Sequence, residues 1–560
     1  MSIKKSSWSL FLLTILFFSC NDSEPPPPAP TDIAETPEQL IEKTEDNIRK
    51  NLDFAAAHNG KLSDSFLLQQ TGLMQTLYKT NQYAALWSNK EQWKPAGDSL
   101  LDFIRNAKLY GLFPLDYHLS FLDSVRKEFD ADTLSNTSRK NAALWAKTDI
   151  LLTDAFLHIV KDVKLGHLPQ DSISLRKDSV LVDSFYVDRL NEVLQGATLS
   201  STIDSLEPRH EGYQLIKAGI KGFLDSAKYK SYTNIPSSKD SLFKQALQKR
   251  LYEDGYIAFD SVRADSAQLV TAIKKFQKKK GITVDGVAGE GTVRLLNTTD
   301  EDRFMSIVIS MDRYKLLPPK MPEKYIWVNL PSFYLRLQDN DTVRLVSKIV
   351  CGKTKTRTPL LTSAISEIIT YPQWTVPQSI IVKEMLPTAK KDPGYFAKKG
   401  LSLVDAKGEE IDPFTVNWSK YSKGIPYKVV QGSGDANALG VLKFNFPNKY
   451  AVYLHDTNQR SLFGAPVRTL SHGCVRVQEW EKLAVYLIRN NYADTATVLP
   501  ALDSMNSWLS RKEKHGIPMK KRVPVFIRYF TCEGKDNGLV FYDDIYGEDR
   551  LIREKYYAGK

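Results

Sequence analysis

At 560 residues the chain holds roughly three to four domains of ~150 residues each. Its 42% hydrophobic and 25% charged residues exclude whole-chain disorder, a collagen-like fibre and a small disulfide scaffold. Lysine and arginine outnumber aspartate and glutamate by 76 to 65, a net charge of +11 that suits an anionic polymer or a membrane surface. That polymer is not nucleic acid, because the chain has no basic stripe with interleaved aromatics, no zinc spacing and no helix-turn-helix signature.

Lys4 and Lys5 precede an apolar run over residues 8–18, a signal-peptide core too short to span a bilayer. Ser19 before Cys20, with polar residues after it, resembles a bacterial lipobox, which implies that Cys20 is lipidated and becomes the mature N-terminus. Phe17 and Phe18 are bulkier than the commonest lipobox, so ordinary signal cleavage and an uncleaved anchor stay open; in every case the chain is exported. Residues 25–30, five prolines and one alanine, favour a polyproline stalk at ~3.1 Å per residue. Residues 1–20 are thus read as the signal segment and 21–36 as a linker.

Residues 37–240 read as a helical scaffold, with apolar residues at helical spacing over 99–104 and 151–157 and turns at Gly111, Pro114, Gly166 and Pro169. His118, His158 and His167 have no ligand spacing and are read as capping or packing residues. Residues 241–298 form a compact unit: helices over 242–254 and 267–280, a glycine-rich turn over 281–289 and a short helix over 291–296. Phe276-Gln277 ahead of Gly281, Asp285, Gly286 and Gly289 resembles the three-helix peptidoglycan-binding module, although Ile282 stands where leucine is commoner. Gly286 and Gly289 can take positive φ where the chain doubles back, with Thr283 and Asp285 supplying local hydrogen bonds to the turn.

From residue 322 the pattern changes to strands, over 325–329, 333–337, 346–350, 365–370, 442–446 and 450–454. An excursion over 375–430, rich in lysine, proline and short helical runs, interrupts them and is expected to act as a lid or as a surface elaboration. Residues 511–560 are expected to complete or brace this β-rich region, with Asp543 and Asp544 in a solvated turn.

The chemistry concentrates in residues 450–457 and 469–477. A thiol is a nucleophile only as its thiolate, which needs a base or cation nearby, and this stretch offers His455, His472 and Arg476 around Cys474. If residues 471–477 are extended, His472, Cys474 and Arg476 share one face. Either histidine can then serve as base. Cys351 and Cys532 have no histidine nearby and are read as packing residues. The cysteines are too few and scattered for a disulfide framework or a cysteine metal site.

Ser471-His472-Gly473-Cys474-Val475-Arg476, with a histidine nineteen positions before the cysteine, resembles the signature of L,D-transpeptidases of the YkuD type. Residues 437–440, 443–448 and 453–457, and the order of parts, resemble the long YcbB-like subfamily. The resemblance implies Cys474 as nucleophile, His455 as general acid and base, Tyr453 lining the donor site, and Ser471, His472, Gly473 and Arg476 in support. Backbone N–H groups of 472–474 are candidates for the oxyanion hole.

The expected fold class is therefore a multidomain α+β chain: helical scaffold (37–240), peptidoglycan-binding-like module (241–298), β-rich catalytic domain (299–510) with an inserted capping segment (375–430), and a C-terminal segment (511–560). The implied activity is 3→3 cross-linking of peptidoglycan stem peptides through a cysteine thioester, in the cell envelope, with a membrane lipid anchor at Cys20 and with no metal or organic cofactor. The rivals are an L,D-carboxypeptidase, a protein-to-wall transferase, and a non-catalytic lipoprotein tether.

Overall fold

The computed structural model describes residues 30–63, 66–135, 139–168, 180–258, 266–280, 282–492, 494–536 and 538–559. The signal segment with Cys20, most of the proline run, Pro169 and Gly281 lie outside them. Among the described residues no helix is long and apolar enough to cross a membrane. The chain divides into two compact units, one of residues up to 108, 113–161 and 180–206, the other mainly of residues from 207 onward.

The first unit is helical, with helices Pro37–Ala57, Thr71–Thr80, Pro95–Arg105 and Asp183–Leu194 and most of Ala142–Leu165. Thr36 caps the first helix by accepting the Gln39 N–H, and Pro37 follows where a missing N–H costs nothing. A buried carboxylate organises the centre: Asp149 accepts the Tyr78 hydroxyl at 2.6 Å and the Leu86 and Trp87 amides at 2.9 Å each. Burial raises its pKa, and these donors pull it back. Asp154 accepts the Gln69 amide and lies 2.9 Å from Nε2 of His118, so that histidine serves packing.

In the second unit, helix Glu211–Ser226, grouped by sequence with the scaffold, packs on the hairpin Cys532–Lys535 and Gly538–Phe541. A Cβ at Gly534 would run into the Leu215 and Ile216 backbone, so only glycine admits the helix. The next three helices, Phe243–Glu253, Ser266–Lys280 and Glu290–Asn297, close on Leu247, Leu251, Ile273, Phe276 and Leu296. Buried Gln277 donates to Asp285 at 2.7 Å and accepts the Gly286 amide at 2.9 Å, which ties the turn to the helix before it. Gly286 has φ +78, but Gly289 has φ −70 and caps the last helix, so only the first glycine needs its conformational freedom.

Helix Asp300–Lys315, opened by a Thr299/Asp302 capping box, leads into the main sheet. Ten strands run in the order Leu361–Ala364, Pro524–Arg528, Lys324–Asn329, Tyr334–Asp339, Thr342–Gly352, Val475–Val477, Leu454–His455, Leu442–Asn445, Glu367–Thr370, Gly516–Pro518, and Thr469–Ser471 also pairs with Thr342–Gly352. Alternation sends Ile326, Val328, Leu335, Leu337, Phe444, Leu454, Val475 and Val477 into one core, where helix Trp480–Asn491 adds Leu483 and Leu487. Each such fully buried aliphatic contributes roughly 1.5–3 kcal/mol.

The excursion leaves after Glu367–Thr370 and returns before Leu442–Asn445, two strands that pair with each other. It has its own four-stranded sheet, Trp374–Thr375, Lys428–Gln431, Leu401–Val404 and Glu410–Ile411, and its own core around Phe396, Leu403, Trp418 and Val429. Helix Glu548–Ala558 is held to helix Asp300–Lys315 by the buried pair Arg313–Asp549 at 2.6 Å. Asp543 and Asp544 are not simply solvated: Asp543 pairs with Arg294, and Asp544 accepts the Tyr529 hydroxyl at 2.6 Å and the Arg550 amide.

Candidate active site

Strands Leu454–His455 and Val475–Val477 pair in parallel, Leu454 against Val475 and His455 against Arg476. The Val475 amide donates to the Tyr453 carbonyl at 3.1 Å, which extends the pairing to Tyr453 beside Cys474. Leu454 and Val475 point into the core, so Tyr453, His455, Cys474 and Arg476 stand together on the other face. Lys443 pairs with His455 from the third strand, which makes a row Lys443, His455, Arg476 across that face.

The turn before Cys474 is built by Ser471 and Gly473. The Ser471 hydroxyl donates to the Cys474 carbonyl at 2.6 Å and accepts the Gly473 amide at 3.2 Å. Its carbonyl accepts the Lys353 amide at 2.9 Å and the Thr356 hydroxyl at 3.2 Å. Gly473 has φ +122, and a Cβ there would meet nothing nearer than the Arg357 carbonyl at 3.5 Å. Conformation rather than crowding is therefore the reason for glycine. Because the Gly473 N–H is taken by Ser471, the oxyanion-hole candidates narrow to the amides of His472 and Cys474.

A second turn faces the thiol. The Asn448 side chain accepts the Tyr450 and Val452 amides and donates to the Val452 carbonyl, which holds Ala451 at φ +54. The Ala451 carbonyl accepts the Cys474 thiol at 3.9 Å. Burial pushes that thiol above its ordinary pKa, while hydrogen bonds from the Tyr453 backbone and hydroxyl and the charges of Lys443 and Arg476 pull it back.

His455 is 4% exposed. Burial first, then the charge of Arg476, push its pKa down to about 3, with Lys443 adding to the effect and the backbone of Asp456 and Leu439 opposing it. The ring is thus held toward its neutral form, which can accept a proton. The Tyr453 ring stands edge-on to it at 5.7 Å. Arg476 donates to Gln459 at 3.1 Å, and its Nε is buried with no partner among the described residues.

His472 is placed differently. It is exposed, and its Nε2 lies 2.9 Å from the Glu384 carboxylate in the inserted segment. Of the two histidines only His455 shares the face of Cys474. Sequence reasoning missed Glu384, Gln459 and Lys443; the last lies inside the 443–448 stretch noted above, but only strand pairing sets it beside His455. Cys351 and Cys532 are fully buried, and burial raises the Cys351 thiol to about 12.

Residues 323–491 match the family model described as the L,D-transpeptidase catalytic domain, residues 244–296 the "Putative peptidoglycan binding domain", and residues 72–219 a scaffold domain. A Haemophilus influenzae protein named "Putative L,D-transpeptidase" is 36% identical over 228 residues, 40% of this chain and 45% of that protein. The chain thus spans about half the length of that relative. Among solved structures, an L,D-transpeptidase from Stackebrandtia nassauensis aligns at 16% identity and TM-score 0.16 over 46% of this chain and 91% of its own. One from Xylanimonas cellulosilytica aligns at 14% and 0.16 over 54% and 98%.

Proposed function

We propose that this chain, which carries an L,D-transpeptidase catalytic domain and a peptidoglycan-binding domain, forms 3→3 cross-links between peptidoglycan stem peptides through a thioester on Cys474. The observation that carries the reading is the parallel register that sets Tyr453 and His455 on the same face as Cys474 and Arg476.

Cys474 attacks the carbonyl of the residue before the terminal D-alanine of a donor tetrapeptide, and neutral His455 takes the thiol proton as the carbon–sulfur bond forms. The tetrahedral intermediate collapses, the peptide bond breaks, and His455 returns that proton to the departing D-alanine amine. A side-chain amine of a second stem then attacks the thioester, His455 accepts its proton, and Cys474 leaves and recovers it. The cations flanking His455 disfavour a standing imidazolium, so each proton is held only in passing. Water in place of the amine gives a carboxypeptidase, and an amine on a protein gives a wall transferase.

Export and a lipid anchor on Cys20 belong to the same proposal: they place the domain where its substrate is. The test is incubation of the purified chain with disaccharide-tetrapeptide, with product analysis and intact-protein mass spectrometry, alongside Cys474→Ala. A Cys474-dependent cross-linked dimer with loss of D-alanine supports the proposal. Tripeptide monomer alone replaces it with a carboxypeptidase, and no turnover by folded protein turns the chain into a tether.

A further inference from the structure

A half-buried thiol on the same sheet face as a neutral histidine raises an electrostatic question: what holds the negative charge when the sulfur ionises? His455 does not, because burial and Arg476 keep it uncharged. His455 shares the face of Cys474, and the groups acting on the sulfur are Tyr453, Lys443 and Arg476. Only the last two are cations.

Lys443 occupies an unusual place for a lysine. It is half-buried in the middle of a strand, on the site side of the sheet, directly paired with His455. Its ammonium lies 3.9 Å from the centre of the Tyr453 ring, the ring whose hydroxyl bonds toward Cys474. Among the described residues no carboxylate forms an ion pair with it. Glu367 is the carboxylate that acts on it, but that carboxylate accepts the Asn445 side chain at 3.0 Å, and Lys514 adds a like charge. A cation desolvated this far, with no carboxylate at contact, is retained against its burial cost for a charge that appears elsewhere.

We propose that Lys443 is a positioning residue for the nucleophile: with Arg476 it forms a two-cation clamp that stabilises the Cys474 thiolate and keeps His455 neutral as the proton acceptor. The proposal rests on Cys474 being the nucleophile, but not on the identity of the donor or acceptor. The directions of titration agree with it, since Lys443 and Arg476 both lower the Cys474 thiol while the Cys474 charge raises each of them in return. The arrangement divides labour on one face. His455 handles protons, and the row's two ends handle charge.

The test reads the thiol without any peptidoglycan. The rate of iodoacetamide alkylation of the Cys474-containing peptide is followed against pH by mass spectrometry in the full chain, in Lys443→Met and in Lys443→Arg. Loss of the charge should move the ionisation midpoint up by about one pH unit, so that alkylation below the midpoint slows about tenfold. Lys443→Arg should return it to within about twofold, because the charge is restored. An unchanged midpoint in Lys443→Met, or an equal slowing in Lys443→Arg, overturns the proposal and leaves Lys443 a packing residue.

If Lys443→Met does not fold, Lys443→Gln is read the same way, and salt titration of the unaltered chain gives a second measurement: the midpoint should rise by less than about 0.3 unit between low and physiological salt, since a clamp this buried is poorly screened. A large rise would place the stabilising charge at the surface and overturn it. An intact midpoint shift with no cross-linking would remove the function proposed above and keep this inference, while the converse would remove only this one.

Discussion

The depressed pKa of His455 makes acid stability a direct measure of how the site is built. The ordinary value is about 6.5 in an unfolded chain, and the folded value is about 3. Between the two, the unfolded state binds the proton and the native state does not, so folding stability falls as pH falls through 6.5 and keeps falling until about 3. Taking the chain from about pH 7 to about pH 4.5 should cost roughly 2.5 kcal/mol from this residue alone, at about 1.36 kcal/mol per unit. His455→Gln removes the titrating group and should abolish that part of the loss. The assay is urea unfolding of the native chain and the variant at both pH values, followed through the transition that carries the catalytic sheet. Acidic side chains titrate in both proteins, so the difference between their pH dependences isolates His455. A difference under about 0.5 kcal/mol would mean that the ring is protonated in the native fold, and the neutral acceptor of the mechanism would be refuted.

Four substitutions test other parts of the architecture. Gly440→Ala should destabilise by more than ~2 kcal/mol by thermal or chemical unfolding, because Gly440 has φ +65 and a Cβ would strike the Asp456 carboxylate and the Thr457 amide just after His455. Gly473→Ala meets no clash, so its cost should stay within the ~1–3 kcal/mol of a strained φ while Cys474 alkylation changes with the turn; an unfolded product would contradict the space seen there. Arg313→Met strands the Asp549 carboxylate in the interior and should cost about 3–5 kcal/mol by urea unfolding, and adding Asp549→Asn should recover part of it. Glu384→Gln breaks an exposed pair with His472 worth at most about 1 kcal/mol, so the thermal midpoint should barely move; a shift of more than about 4 °C would show that the inserted segment is clamped through this contact.

Much of the architecture is legible in the sequence because it rests on local signals. Helical periodicity gives way to strand alternation near residue 322, and the Phe276-Gln277 pair announces a turn that Gln277 then holds through Asp285 and Gly286. What was not legible rests on contacts across long separations. Helix Glu211–Ser226 carries the same periodicity as the scaffold helices before it, yet it belongs with a hairpin some three hundred residues later, and the mark is a glycine, Gly534, with nothing local to explain it. Asp543 looks like a turn residue from its neighbours, but Arg294, which pairs with it, lies far off in sequence. The excursion reads as short helices and prolines because its strands are only two to four residues long, too short for alternation to register.

The site shows the same division more sharply. His472, two residues from Cys474, is the nearer histidine by sequence, and an extended strand would put both on one face. The chain is not extended there: Gly473 at φ +122 and the Ser471 hydroxyl bend it into a turn, which sends His472 outward to Glu384 while Cys474 turns toward Tyr453. His455, nineteen residues earlier, arrives by parallel pairing, a relation that no residue spacing encodes. Lys443 arrives by a further antiparallel pairing. Residue types therefore single out Cys474 as the candidate nucleophile, since a cysteine flanked by Ser, His, Gly and Arg is a chemical statement in itself. Of the cations that set its charge, Arg476 is named by the motif itself, and Lys443 only by the order of the strands.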